Sequence, residues 1–183
     1  MKARILALTI LMMAGFSATL SAQKSFYDFK VKDIYGKEFD FSTLKGKKVL
    51  IVNTASKCGY TPQYAGLEKL YKQYGKDGFV VVGFPSNDFG DKEPGNNKQI
   101  EEFCRENYSV TFPMMGKTDV KGDDIDPVYK WLTEKKENGK MDTKVAWNFQ
   151  KYFVNEKGEL VGYVSSKTEP DDPKIINFIE GKD

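Results

Sequence analysis

Cys58 stands in the run Lys57 to Pro62, directly after the apolar segment Val49 to Thr54, and the only other cysteine, Cys104, follows 46 residues later. None of the 183 residues is histidine. That removes His-ligated metal sites, Ser-His-Asp hydrolases and Cys-His nucleophile pairs, and leaves chemistry to Cys, carboxylates, Lys, Tyr or amides. A thiol at the carboxyl end of a buried strand and just before a helix sits where the reactive groups of open α/β sheets gather. The helix amides and dipole favour a thiolate there. The alternative is a small apolar filler, the commoner role of a free cysteine. The polar, glycine-containing loop around Cys58 favours the reactive reading. A thioredoxin-type reductase would carry its second cysteine at the position of Thr61, so this chain lacks the fast local dithiol. A lone thiolate with a distant second thiol suits a peroxidase. The thiolate becomes a sulfenic acid, and the second thiol condenses with it to a disulfide. On residues alone, Cys104 serves equally well as core packing beside Phe103.

The elements that must position Cys58 follow from the pattern. Val49 to Thr54 and Phe79 to Phe84 are short apolar runs of the kind buried on both faces of a sheet. Between them, Thr61 is a plausible N-cap, Pro62 suits the first helical position, and Tyr64, Leu67, Leu70, Tyr71 and Tyr74 keep helical spacing. Strand, helix, strand in that order is a βαβ unit with parallel strands. Upstream, Ser25 to Phe41 alternates like a small hairpin that turns at Asp33 to Gly36. Downstream, Asn96 with Gln99 forms a capping box that opens a helix carrying Ile100, Phe103 and Cys104. Thr111 to Met115 is a third strand candidate. Pro127 opens a helix with Val128, Trp131 and Leu132, and Glu137 to Asp142 is a polar loop. Phe149 to Val154 and Glu159 to Val164 flank a turn, as in a hairpin. Asp172 or Pro173 starts a last helix ending near Gly181. The expected fold is α/β: a mixed central sheet with helices on both faces, in one domain over residues 23–183.

Residues 1–22 read as a separate unit. Lys2 and Arg4 precede an apolar run from Ile5 to Leu20, and the small residues Ser21 and Ala22 close it, which is the pattern of a signal peptide cut after Ala22. The run is shorter than the ~20 apolar residues a membrane span needs. The expected location is therefore periplasmic or secreted, with no membrane span. Cleavage takes two of the 28 basic residues and none of the 26 acidic ones, leaving zero net charge and Arg105 as the single arginine. A neutral, arginine-poor surface argues against nucleic-acid binding. No metal or cofactor is expected.

Four blocks carry a resemblance: Val52 to Gln63, Gly83 to Gly90, Glu93 to Gly95 and Trp147 to Phe149. In order and spacing they resemble the glutathione peroxidase family over nearly all of residues 25–183. The resemblance implies a thioredoxin-like fold, a hydroperoxide substrate and no cofactor. It places the peroxidatic residue at Cys58 and its indole and amide partners at Trp147 and Asn148. It also makes Cys104 a resolving cysteine, with a thioredoxin-like reductant more than glutathione. The segment Gly139 to Ala146 lacks the longer insertion of the family's tetramers, which implies a monomer. One departure stands out: Lys92 occupies the position of the family's active-site glutamine, and Ser86 that of a common earlier cysteine. Lys92 either favours the thiolate by charge or points into solvent. Two other function classes remain at this point, a thiol–disulfide relay or sensor and a non-enzymatic thioredoxin-fold binding module. If Cys104 resolves Cys58, its place about seven residues into a helix, roughly 10 Å from the start, implies that residues 91–108 move first.

Overall fold

The computed structural model describes residues 24–182, so the proposed signal peptide lies outside the described residues. The frame is a four-stranded sheet of β3 (Lys48–Thr54), β4 (Phe79–Pro85), β5 (Lys151–Val154) and β6 (Leu160–Val164), in the order β4-β3-β5-β6. It is preceded by β1 (Lys30–Lys32) and β2 (Glu38–Asp40), a separate antiparallel pair with Val31 opposite Phe39. The Asp33 carboxylate closes the turn between them by accepting from the Tyr35 and Lys37 amides at 2.9 and 2.8 Å. Short 3₁₀ turns flank the pair and plug Phe26, Phe41 and Leu44 into the core.

β3 and β4 pair in parallel from Lys48 opposite Phe79 to Thr54 opposite Pro85, with α1 (Gln63–Tyr74) as the crossover. β3 pairs antiparallel with β5, and β5 with β6. The period-two alternation of β3 sorts the core. Val49 and Ile51 face Val128, Tyr129 and Leu132 of α3 (Pro127–Thr133). Leu50 and Val52 face Tyr64 and Leu67 of α1, Ile100 of α2 (Asn97–Tyr108) and Phe178 of α5 (Pro173–Glu180). Helices therefore cover both faces, and the sheet is mixed. The capping box forms, with Asn96 and Gln99 exchanging amide–carbonyl bonds at 3.0 Å in each direction.

Three local expectations are corrected. Thr111 to Met115 is no strand but touches the sheet through isolated bridges, Gly83 with Met114 and Asp33 with Met115. Pro113 sits within it and has no N–H to extend a ladder. Thr61 does not cap α1, which begins at Gln63 after Pro62. The polar loop Glu137 to Asp142 is partly helical, because α4 (Lys135–Asn138) buries the Asn138 amide against the Trp131 and Met141 carbonyls. Among the described residues no helix is long and apolar enough to cross a membrane.

Candidate active site

Cys58 lies in the loop that joins β3 to α1, half-buried and unpaired with any other cysteine. Its Sγ accepts from the Tyr60 amide at 3.5 Å. Thr61, freed from capping, knits this loop into a tight ring. Its hydroxyl accepts from the Cys58 amide at 2.9 Å and donates to the Ala55 carbonyl at 2.8 Å, and its own amide donates to the Cys58 carbonyl at 3.0 Å. The position of a second thioredoxin-type cysteine is thus taken by a hydroxyl that fixes the first. A loop closed by three such bonds holds its thiol without a disulfide.

One further segment bonds to this loop, and another packs on that segment. The Lys57 amide donates to the Lys92 carbonyl at 2.9 Å, and the Ser56 hydroxyl donates to the Glu93 carboxyl at 3.0 Å. The third segment is the turn before β5. Trp147 tilts against Phe89 with ring centroids 5.6 Å apart, and its ring edge and the Lys92 stem both border Gly90. Trp147 is 40% exposed, so its indole is open to a solute, whereas Asn148 is fully buried. The Asn148 amide makes a long bond of 3.4 Å to the Phe89 carbonyl, and its Oδ1 has no partner among the described residues. An amide carries two N–H donors, so one remains for another acceptor. Phe149 adopts the left-handed region at φ 66°. For a non-glycine residue that conformation costs ~1 kcal/mol or more and persists only where its surroundings over-determine it. Here the buried Phe149 ring packs edge-on to Tyr64 at 5.3 Å, and its amide donates to the Asn53 carbonyl at 2.6 Å.

The sequence-expected residues divide. The Lys92 carbonyl bonds to the Cys58 loop, and Trp147 and Asn148 contact Phe89 in the same segment as Lys92. Lys92 itself is exposed, and its side chain makes no hydrogen bond among the described residues. Its amine therefore does not replace a fixed amide donor. We expect Lys92→Gln to keep or raise peroxide turnover and Lys92→Ala to lower it less than tenfold, under ~1.4 kcal/mol of barrier. Steady-state peroxide consumption checks this, and total loss in a folded Lys92→Ala protein would make the lysine a specific thiolate partner. Cys104 is buried on the inner face of α2, in one apolar cluster with Ile100, Tyr64 and Phe149, and Cys58 packs at the margin of that cluster. Burial pushes the Cys104 thiol up to about 11. It is therefore protonated and unreactive where it stands. A hollow of about 370 Å³ separates the Cys58 loop from the first turns of α2, between Lys57 and Glu93 on one side and Ile100 and Phe103 on the other.

Sequence reasoning missed Glu93 and Asn53 as parts of this site. A glutamate in a loop of Pro, Asn and Gly reads as solvated, yet Glu93 is only 1% exposed. Burial raises its carboxyl to about 7, against the pull of the Ser56 hydrogen bonds and of Lys117 and Lys57. A carboxyl that binds its proton more tightly when folded stabilises the protein most below pH 4.5, its ordinary value, and that contribution is lost as pH rises to about 7. Glu93→Gln should therefore flatten the fall in unfolding free energy between pH 4.5 and 7. Denaturant unfolding at a series of pH values measures this, and an unchanged slope in the variant would contradict it.

The fold and this site define a class: a thioredoxin-like α/β domain with one half-buried cysteine at the carboxyl end of its central strand. A family profile described as glutathione peroxidase matches residues 26–133. The "Glutathione peroxidase-like peroxiredoxin 2" of Saccharomyces cerevisiae is 53% identical over 146 residues, covering 80% of this chain and 90% of that protein. The "Glutathione peroxidase-like peroxiredoxin gpx1" of Schizosaccharomyces pombe is 50% identical over 146 residues, covering 80% and 92%. Among solved structures, the apo form of Trgpx superposes with a TM-score of 0.66 at 44% identity, covering 86% of this chain and 96% of that one. A thiol:disulfide interchange protein from Chlorobium tepidum, at 17% identity and a TM-score of 0.62, shares the fold alone. The chain belongs to the glutathione peroxidase family and is a thiol-dependent peroxidase.

Proposed function

We propose that Cys58 is the peroxidatic residue and that the enzyme runs a two-cysteine cycle with a thioredoxin-like reductant. The Cys58 thiolate attacks the terminal oxygen of a hydroperoxide. The O–O bond breaks, the sulfur becomes a sulfenic acid, and the alcohol or water leaves after taking up a proton. The Trp147 indole N–H and the free Asn148 amide hydrogen supply donors for the oxygen that gains charge. The Cys104 thiol then displaces the sulfenic hydroxyl as water and leaves a Cys58–Cys104 disulfide. A dithiol reductant returns both thiols by exchange through a mixed disulfide.

The observation that carries this reading is the Cys58 loop itself. Thr61 holds a half-buried thiol open to solvent in a loop bonded to Lys92 and Glu93, and Trp147 and Asn148 contact Phe89 of that same segment. The absence of a local second cysteine favours peroxide chemistry over a simple relay. A single arginine and a neutral mature surface offer little to an anionic tripeptide, which favours a thioredoxin-like protein over glutathione. The test is consumption of hydrogen peroxide and an organic hydroperoxide with a thioredoxin–thioredoxin reductase system against glutathione. Turnover with thioredoxin is expected, and turnover with glutathione alone would overturn the reductant.

The pattern of residues 1–22 and the short Gly139 to Ala146 segment support an exported monomer, periplasmic or secreted. Light scattering of the mature protein should give one chain per particle. A stable tetramer, or a cellular protein that keeps residues 1–22 in the cytoplasm, would contradict this.

A further inference from the structure

We propose that Asn53 is a positioning residue for the peroxide-activating pair, acting through the strained turn that carries it; this rests on the reading of Trp147 and Asn148 given above. Asn53 is the penultimate residue of β3 and is fully buried. Val52 before it in the strand is apolar and Thr54 after it is polar, and in the parallel ladder it stands opposite Phe84. A strand position of this kind ordinarily holds an apolar residue, because a buried amide must find partners.

The partners Asn53 finds lie in one place. Its side-chain amide donates to the Trp147 carbonyl at 3.0 Å, and its backbone carbonyl accepts from the Phe149 amide at 2.6 Å. The antiparallel ladder of β3 with β5 runs only from Val49 to Val52. One residue past its end, Asn53 clamps the chain on both sides of Asn148. The middle residue is therefore gripped before and after, and Phe149 is held left-handed at φ 66°. With an apolar residue at position 53 the backbone bond to Phe149 survives. The Trp147 carbonyl, however, loses its donor, and nothing then sets the rotation of the peptide that precedes Asn148. The indole and the Asn148 amide leave this turn from adjacent residues, so a rotation there moves both donors relative to the Cys58 loop. Asn53 touches neither substrate nor sulfur. Its effect passes through the geometry of the two donors.

The test separates the two halves of the catalytic cycle. Asn53→Asp keeps the size of the side chain but replaces the donor with an acceptor facing the Trp147 carbonyl, and Asn53→Ala removes the contact. In both, single-turnover oxidation of Cys58 by hydrogen peroxide should slow by roughly tenfold to a hundredfold, the scale of a misplacement near 1 Å. Reduction of the preformed disulfide by thioredoxin should keep its wild-type rate. Val52→Ala, a truncation on the opposite face of the same strand, controls for lost stability and should keep the wild-type oxidation rate. If the Asn53 variants oxidise at the wild-type rate while Asn148→Ala is slowed, the positioning role is overturned and the site reading stands. If Asn148→Ala is also unaffected, the site reading itself fails. In the unmodified protein, the Phe149 amide should exchange hydrogen only through global unfolding. Fast exchange there would overturn the clamp even if neither variant folds.

Discussion

Cys58→Ser should lose peroxide reduction down to the uncatalysed background while remaining folded. A serine hydroxyl in the Thr61-closed loop makes no anion at neutral pH and cannot rest as a sulfenic acid, so both the nucleophile and the intermediate disappear together. The fold should be indifferent to the change. Cys58 is half-buried at the margin of the apolar cluster, and the bonds that close its loop onto Thr61 run through its backbone, while its sulfur accepts only the long 3.5 Å bond from the Tyr60 amide. Circular dichroism and thermal unfolding should therefore overlay those of the unmodified protein. Retention of most of the activity would move the chemistry elsewhere, and with one other cysteine and no histidine the chain offers little to receive it.

Oxidation opens α2. A disulfide needs Cα atoms within about 7 Å and thiols pointing at each other. In the folded reduced state Cys104 instead points into the core with Ile100, its thiol held protonated by burial. Both obstacles disappear when the helix unwinds. Only Ile100 and Cys104 of its twelve residues are buried. Its outer face is held by exposed pairs such as Arg105 with Glu101 at 3.1 Å and Lys98 with Glu102 at 3.8 Å. Such pairs contribute about 0–1 kcal/mol each. Few buried contacts and surface bonds mark a unit of low local stability, and the neighbouring hollow is lined by Ile100 and Phe103 of this helix. Amide exchange across residues 91–108 should be faster in the oxidised protein than in the reduced one. Equal protection in the two forms would remove the unfolding step and require the thiols to meet within the folded helix. Cys104→Ser should then stall with a persistent sulfenic acid at Cys58 and lose thioredoxin-dependent turnover.

What the residues revealed in advance was what depends on near neighbours. β3 and β4 follow from short apolar runs, α2 from the Asn96–Gln99 box, α3 from Pro127, and α5 from Asp172 and Pro173. Cys58 was legible because a strand end and a helix start bracket it. The buried polar groups were not. Asn53 reaches Trp147 across 94 residues, Ser56 reaches Glu93 across 37, and Lys151 reaches Gln63 across 88. Lys151 shows the limit most clearly. It reads as the exposed position of a hairpin strand, yet it is fully buried, tying α1 to the Thr168 carbonyl, with its amine pulled down to about 8 by burial. Periodicity reports which face of an element is apolar, and a buried charge is allowed only by partners from distant segments. Thr61 failed as a cap for a related reason. Its hydroxyl found one donor, the Cys58 amide, and one acceptor, the Ala55 carbonyl, inside the Cys58 loop, and these outcompeted the helix end.

The central claim is that peroxide oxidises Cys58 and that Cys104 captures the product. Peptide mass spectrometry of the reduced protein after one equivalent of hydrogen peroxide, with a sulfenic-acid trap in a parallel sample, measures it directly. The account predicts an intramolecular Cys58–Cys104 disulfide in the untrapped sample and a label confined to Cys58 in the trapped one. A lasting sulfenic acid at Cys58 beside a free Cys104 thiol, or oxidation that begins at Cys104, would contradict it.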